Sequence, residues 1–567
     1  MRTAGGWRRR GIFVRSLRAA IAAAILMVEG HVAAGAAGST AAMPTTQEVG
    51  EAIFRGGRLP SGRALEAVRE GTAPARGAAA ACANCHRRSG LGSREGLQLV
   101  PPIAGRYLFH DPDRTESAVA LPYVEGIKSD RPAYTDETLA RAIREGVDSR
   151  GRPLNYLMPR FRMSDADMAS LIAYLRELGA RDAPGVDDTV LHFATIITPD
   201  ADPVARAGML DVLQHFFADK NAFVRAAAPA LLASGRTMYS KSMYRANRHW
   251  ELSIWQLGGP ASTWQAQLER FQAREPVYAV VSGLGGSDWR PVHAFCERAR
   301  IPCLFPNVLA PPASADKDFY SIYFSSGVTL EASLIGHELQ EGVRSQPVAS
   351  VRQVYRAGDV GEIGAKALAS TMGGARARIE SIPIAAAGKD DAVAAAVARA
   401  AGADVVVLWL RPPDLAALAA VPAPAGSAYV SGLMGGLERT PLPPAWREAA
   451  RISYPVDLPD QRRYRVDYAM GWFSIRHIPV VAPQVQADTY LACGVLAETL
   501  TQTSDAFERD YLVERIEDMI EHRIVTGYYP RLTLGTGQRF ASKGGYVTHF
   551  TDPDGTRMAI DDGWITP

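Results

Sequence analysis

Two cysteines and a histidine dominate the chemistry available to this chain. Cys82 and Cys85 are separated by Ala83 and Asn84, and His86 follows directly. Two thiols about one helical turn apart can add to the two vinyl groups of a single haem, and the adjacent imidazole then reaches the iron. Zinc would require a second ligand pair at fixed spacing, which the neighbouring sequence lacks. A thioredoxin-like dithiol has no need of the histidine and belongs to a different fold. The pattern predicts one covalently attached haem c, with His86 on the iron.

The elements that must hold such a site follow from periodicity. Thr46 to Arg58 has helical spacing, with Val49, Ile53 and Phe54 on one side. A Gly/Ala/Pro-rich stretch follows, including a segment from Arg63 to Arg69 that reads as helical, and leads into the cysteine motif. Pro101 to Gly105 reads as an extended loop. Thr135 to Gly146 is a short amphipathic helix with Leu139, Ala142 and Ile143 on its apolar face. Ser164 to Leu178 is a stronger one. Ser164 is a natural N-cap, Asp165 and Asp167 suit the first turn, and Met168, Leu171, Ile172 and Leu175 share a face. Gly179 ends it, and residues 179 to 188 have the composition of a linker.

From Thr46 to Leu178 this arrangement resembles the class I cytochromes c. The shared features are the N-terminal helix, the attachment motif, the proline-rich loop, and Leu157-Met158-Pro159-Arg160-Phe161 ahead of a C-terminal helix. The resemblance implies an all-α domain in which Met158 is the second axial ligand. Met163 and Met168 are rivals by residue type, but Met168 sits on the packed helix face and Met163 lacks the following proline. A His/Met pair leaves no open position on the iron, which implies outer-sphere electron transfer and no enzymatic turnover. The stretch from Phe54 to Cys82 is longer than in minimal members. Arg87, Arg88, Arg94 and Arg106 form either a solvated basic surface or a face for propionates or docking. Gly90-Leu91-Gly92 with Gly96 follows the haem motif instead of a strand, which argues against a phosphate loop.

Beyond the linker the texture changes. Val190 to Thr198, Leu252 to Trp255, Val277 to Ser282, Ile301 to Phe305, Val348 to Tyr355 and Asp404 to Leu410 read as strands. Helices follow from Arg206, Ser262, Trp289, Gly361 and Asp414, an alternation that implies parallel sheets covered by helices. The last forty residues read as short strands and turns. This region resembles the type I periplasmic binding proteins, the class that includes branched-chain amino-acid receptors. The resemblance rests on Trp250 to Gln267, on Val277 to Asn307, and on Gly537-Gln538-Arg539-Phe540 with Lys543-Gly544-Gly545. It implies two Rossmann-like lobes that close on a small molecule.

The turn at Gly285-Gly286-Ser287 should expose amides at a helix start, suited to a carboxylate. Ser287 is the leading ligand contact, with Gly286 and Trp289 beside it; the alternative is a tight turn with a capping serine. Tyr323-Phe324-Ser325-Ser326 and Asp359-Val360-Gly361 stand where amino-acid receptors carry other residues, which speaks against an ordinary amino acid as ligand.

At 567 residues the chain needs more than one core. A net charge of +2 gives no electrostatic basis for binding nucleic acid. Arg2, Arg8, Arg9 and Arg10 precede a short apolar stretch, Ala19 to Val28, and then small residues. That is the form of a cleaved export signal, and the segment is too short and interrupted to span a bilayer. Cys296 and Cys303 are either a disulfide or two small buried side chains; Cys493 reads as a core residue.

The expected organisation is a signal peptide over 1–42, a cytochrome c domain over 43–180, a linker over 181–188 and a binding-protein-like domain over 189–567. The chain is expected to be a periplasmic electron carrier that does not span the membrane after signal cleavage. Its partners would be a redox protein, either a dehydrogenase or another cytochrome, and a small-molecule ligand. The alternative is a transport receptor with an accessory cytochrome.

Overall fold

The computed structural model describes residues 44–69, 71–95, 98–110, 131–233, 248–313, 315–341, 348–374, 376–388, 390–503, 506–552 and 555–567. The proposed signal lies outside the described residues. Among the described residues no helix is long and apolar enough to cross a membrane.

The first helix runs Thr46–Gly56 under a Thr45/Glu48 capping box and stops at Gly57 in the left-handed conformation. It packs on the helix Asp165–Glu177, where Ser164 accepts from the Asp167 amide as its N-cap. Contact is close because Gly50 has no Cβ; one added there would lie 2.3 Å from the Ser170 carbonyl oxygen. The helix Asp136–Glu145 completes the set, capped by Thr135 and ended by Gly146. Ile53, Phe54, Leu139, Ile143, Leu171 and Leu175 form the shared core.

The expected helix at Arg63 to Arg69 is absent. β1 (Glu66–Val68) runs there, flanked by β2 (Ala75–Arg76) and β5 (Arg160–Arg162), both antiparallel to it. Leu65 and Ala67 are buried between half-exposed neighbours, a period of two that suits a strand. A hairpin of β3 (Ser93–Glu95) and β4 (Gln98–Val100) follows the cysteine motif. This first domain is therefore helical with a small sheet, not all-α.

The residues read as a linker are tied down. The Ala183 amide donates to the Phe507 carbonyl at 3.3 Å, and Gly185 lies so close to Val277 and Tyr278 that a Cβ would clash. Next comes a five-stranded parallel sheet of β6 (Val190–Ile197), β7 (His249–Gln256), β8 (Ala279–Val281), β9 (Cys303–Leu304) and β10 (Ser321–Ile322), in the order β10-β9-β8-β6-β7. The helix after β6 is much longer than its sequence pattern, Pro203–Ala233.

The second sheet holds β11 (Ser350–Arg356), β12 (Arg378–Ile384), β13 (Val405–Trp409), β14 (Ser427–Ser431), β15 (Ala450–Tyr454), β16 (Tyr546–Phe550) and β17 (Met558–Ile560). Its order is β12-β11-β13-β14-β15-β16-β17, parallel as far as β15 and antiparallel beyond. Every residue of β8 and of β13 is buried, as expected of strands covered on both faces. The chain crosses between the sheets after β10, after β15 and before β16, so the helices Pro459–Ile475, Pro483–Gln502 and Arg509–Met519 lie between the second and third crossings. Cys296, Cys303 and Cys493 are fully buried free thiols.

Candidate functional site

Cys82 caps the one-turn helix Ala83–His86, which places the two thiols and the imidazole together. His86 is 6% exposed, and its Nδ1 lies 3.0 Å from the Pro101 carbonyl oxygen. A carbonyl only accepts, so Nδ1 carries the proton and Nε2 keeps its lone pair, as an iron ligand must. Burial pushes the His86 pKa down to about 4, against the opposing Pro101 hydrogen bond, and so keeps the ring neutral. Burial likewise pushes the Cys82 thiol up to about 12. A pre-oriented neutral imidazole beside two free, half-buried thiols fits haem c, which when bound supplies a one-electron ferric/ferrous couple.

Met158 and Met163 are both half-buried against the core that also carries Cys82, whereas Met168 is 2% exposed within its helix. Asn155 shapes the loop before Met158: its side-chain oxygen accepts from the Leu157 amide at 2.9 Å and its carbonyl from the Met158 amide at 2.9 Å. β5 begins two residues later and is pinned by β1. The long stretch before the cysteine motif thus anchors the loop that carries Met158.

All four arginines singled out in the sequence face the chain's own second half. Arg87 donates to Asp518 at 2.6 Å and to Thr536 at 2.9 Å, with Glu517 at 3.7 Å. The Arg88 guanidinium lies 4.0 Å from the Phe319 ring centroid, and Arg106 is 3.6 Å from Glu508. Arg55 adds an ion pair to Asp510 at 2.5 Å. The acids belong to the helix Arg509–Met519 and its N-cap, Glu508, so one acidic helix receives a basic face. Glu514 reaches furthest. It is 3% exposed and accepts from the amides of Arg88 at 2.7 Å and Ser89 at 3.1 Å, and from the Ser89 hydroxyl at 2.6 Å. Leu91 and Ala104 pack against Ala506 and Tyr511 beside it. None of these acids carried a local sequence signal. Arg94 lines a polar groove of about 530 Å³ with Glu498, Arg515 and His522.

In the second half, the turn at Gly285-Gly286-Ser287 already binds a carboxylate, that of Asp200. Asp200 accepts from the Ser287 amide and hydroxyl, both at 2.7 Å, and from the Thr198 hydroxyl at 2.6 Å. The Gly286 amide donates to the Thr198 hydroxyl at 3.0 Å. A Cβ on Gly286 would stand 2.3 Å from the Asp200 carboxyl carbon, so only glycine lets the acid approach. Partial burial works to raise the Asp200 pKa, but the Ser287 and Thr198 hydrogen bonds prevail and hold it below the ordinary value. Trp289 is 2% exposed, with its ring against Gly283 and Gly285. Arg411, after β13, is paired with Asp359 at 2.7 Å and also feels Asp200 and Asp202 from the first sheet.

Residues 75–179 match the family model described as Cytochrome c. Among curated proteins none matches the chain. Among solved structures, the chain is similar to a fatty acid ABC transporter substrate-binding protein from Thermomonospora curvata, at 14% identity and a TM-score of 0.47, covering 68% of this chain and 95% of that one. A leucine-binding protein from Thermotoga maritima shares 12% identity at a TM-score of 0.46, covering 66% and 99%. A possible leucine/isoleucine/valine-binding protein from Rhodopirellula baltica shares 16% at 0.45, covering 67% and 98%.

Proposed function

Residues 75–179 being a cytochrome c domain, we propose that the chain is an exported single-haem electron carrier whose second half is a small-molecule receptor. The observation that carries the electron-transfer reading is the buried, neutral His86, with Nδ1 held by Pro101, beside the paired thiols. Met158 is the second ligand in this reading, which takes 43–180 as the cytochrome domain and 189–567 as the receptor-like domain.

The redox partner approaches from the Met158 side, because the opposite basic face is covered by the acidic helix. Tyr156 and Leu157 stand exposed there, at 78% and 38%. Arg150, Arg152, Arg160 and Arg162 are exposed around them, so the partner, a dehydrogenase or another cytochrome, presents an acidic surface. The small molecule enters between the edges that carry Asp200 and Arg411. Since Asp200 occupies the Ser287 amide, Ser287 holds this carboxylate directly, Gly286 leaves it room and Trp289 backs the turn, and the ligand offers the carboxylate a hydroxyl or amine. The two sheets are the cores of two lobes that close by hinge motion about the three crossings.

The test is to express the full chain in the periplasm of a host that matures cytochromes c. The purified protein should hold one haem through acid-acetone extraction and titrate with a single electron. A colourless, folded protein would end the reading.

A further inference from the structure

We propose that Glu514, on the second half, is a positioning residue for His86, so that the docked second half sets the geometry of the iron ligand. This rests on the reading of His86 as that ligand.

The residue after His86 is held in a conformation it would not choose. Arg87 has φ 62° and ψ 169°, a region that belongs almost wholly to glycine. A side chain stays there only when its surroundings over-determine it. Here those surroundings come from the other half of the chain. The Arg87 guanidinium is drawn to Asp518, Thr536 and Glu517. The next two amides, of Arg88 and Ser89, both point at one Glu514 oxygen, and the Ser89 hydroxyl takes the other. The Ser89 hydroxyl in turn accepts from the Leu91 amide at 3.1 Å, while the Gly92 amide returns to the His86 carbonyl at 3.1 Å.

The backbone on the C-terminal side of His86 is therefore a loop closed onto Glu514. Within the first domain, the contact that orients the imidazole itself is Pro101. Orientation of an axial imidazole tunes the metal through just such outer contacts. Within the first domain the Gly90 amide holds the Arg87 carbonyl at 3.2 Å and the Gly92 amide that of His86 at 3.1 Å, but the acceptor of the Arg88 and Ser89 amides is Glu514. Without it the loop should relax and turn the ring.

The experiment uses the full-length haem-loaded protein and three variants: Glu514→Ala, Glu514→Gln, and Glu514→Ala combined with Arg87→Gly. The readouts are the midpoint potential and the hyperfine-shifted NMR resonances of the axial histidine. Glutamine keeps a carbonyl acceptor for the two amides and is neutral at every pH. Positioning predicts that Glu514→Ala moves the histidine resonances, that Glu514→Gln leaves them near native, and that Arg87→Gly restores them in the alanine background, because glycine adopts this φ unaided. If alanine and glutamine shift the potential equally while the resonances stay native, Glu514 acts only as a charge and the proposal fails. Should Glu514→Ala not accumulate, Asp518→Ala replaces it at a half-exposed position. A smaller resonance shift in the same direction supports positioning, and none overturns it. A wild-type protein without covalent haem would instead defeat the ligand reading itself.

Discussion

The loop after His86 and the turn at Gly285–Ser287 each give a serine amide and hydroxyl to a carboxylate, yet they join different things. At the first, Glu514 reaches across from the second half and is buried. At the second, Asp200 comes from the end of the neighbouring strand and stays exposed. The physical outcome is opposite. Burial pushes Glu514 up to about 8, whereas hydrogen bonds outweigh partial burial at Asp200 and lower its pKa. A carboxylate that seals an interface is expensive to ionise; one that trims a solvent-facing turn is ionised readily and stays available to a ligand.

The largest effect expected separates covalent chemistry from mere folding. Cys82→Ser with Cys85→Ser should leave no haem after acid-acetone extraction and should destabilise the small core of the first domain, which haem helps to fill. The turn at Ser287 should be untouched, as judged by Trp289 emission. A folded first domain without haem, seen by an unchanged far-ultraviolet spectrum and melting profile, would contradict this account of its core.

Next in size is the second iron ligand. Met158→Ala should abolish the weak sulfur-to-iron band of the oxidised protein and let carbon monoxide bind the ferrous form, while Met163→Ala should do neither. The reverse result would move the ligand to Met163, which packs on the same core.

A smaller effect tests the two carboxylates against each other. Glu514 has an ordinary value of 4.5 and a folded value of about 8, caused first by burial, with Ser89 opposing, Asp510 adding and Arg87 opposing. Glu508 is raised to about 7 in the same way, opposed by Arg106. Between these limits the folded chain holds protons that the unfolded chain has released, so stability falls as pH rises and levels off above the folded values. Asp200 works in reverse, stabilising above its ordinary 3.8 and failing only as pH falls through its lowered value. Melting of the full chain should therefore come several degrees earlier at about pH 8.5 than at about pH 6, and Glu514→Gln should flatten part of that slope. An unchanged slope in the variant would mean that Glu514 is ionised throughout.

What the sequence made legible follows the range of the interactions. The haem motif is local, since two thiols and an imidazole are fixed by their own spacing. The Ser164 cap is local too, and the helices Thr46–Gly56, Asp136–Glu145 and Asp165–Glu177 lie where periodicity puts them. The strand at Glu66–Val68 was hidden because one of its two partners, β5, is some ninety residues away, the other, β2, is only two residues long, and three residues carry too short a pattern to exclude a helix. The second sheet's antiparallel end was hidden for the same reason, as β16 joins β15 only after three intervening helices. The basic face was visible as arginines, but its acceptor lies more than four hundred residues on. At the glycine turn, the amides were foreseen and their occupant was not, because Asp200 approaches from a different strand.

The smallest effect, and the one that bears on the ligand, concerns that occupant. Removing the carboxylate in Asp200→Ala should leave the Ser287 amide and hydroxyl open at the start of the helix Arg290–Ala299, where the amide dipoles favour an anion. Acetate or a similar small carboxylate should then bind the variant weakly and perturb Trp289, whose ring lies against the same turn. The wild type should ignore such anions and respond to small alcohols or amines that donate to Asp200. Fluorescence titrations of both proteins decide the matter, with Ser287→Ala in the Asp200→Ala background as the control that should erase anion binding. If the wild type itself binds carboxylates and loses them on Ser287→Ala, Asp200 gives way to the ligand. The turn would then be a displaceable anion site of the kind first expected, and the contrast with Glu514 would lie in how easily each carboxylate is moved.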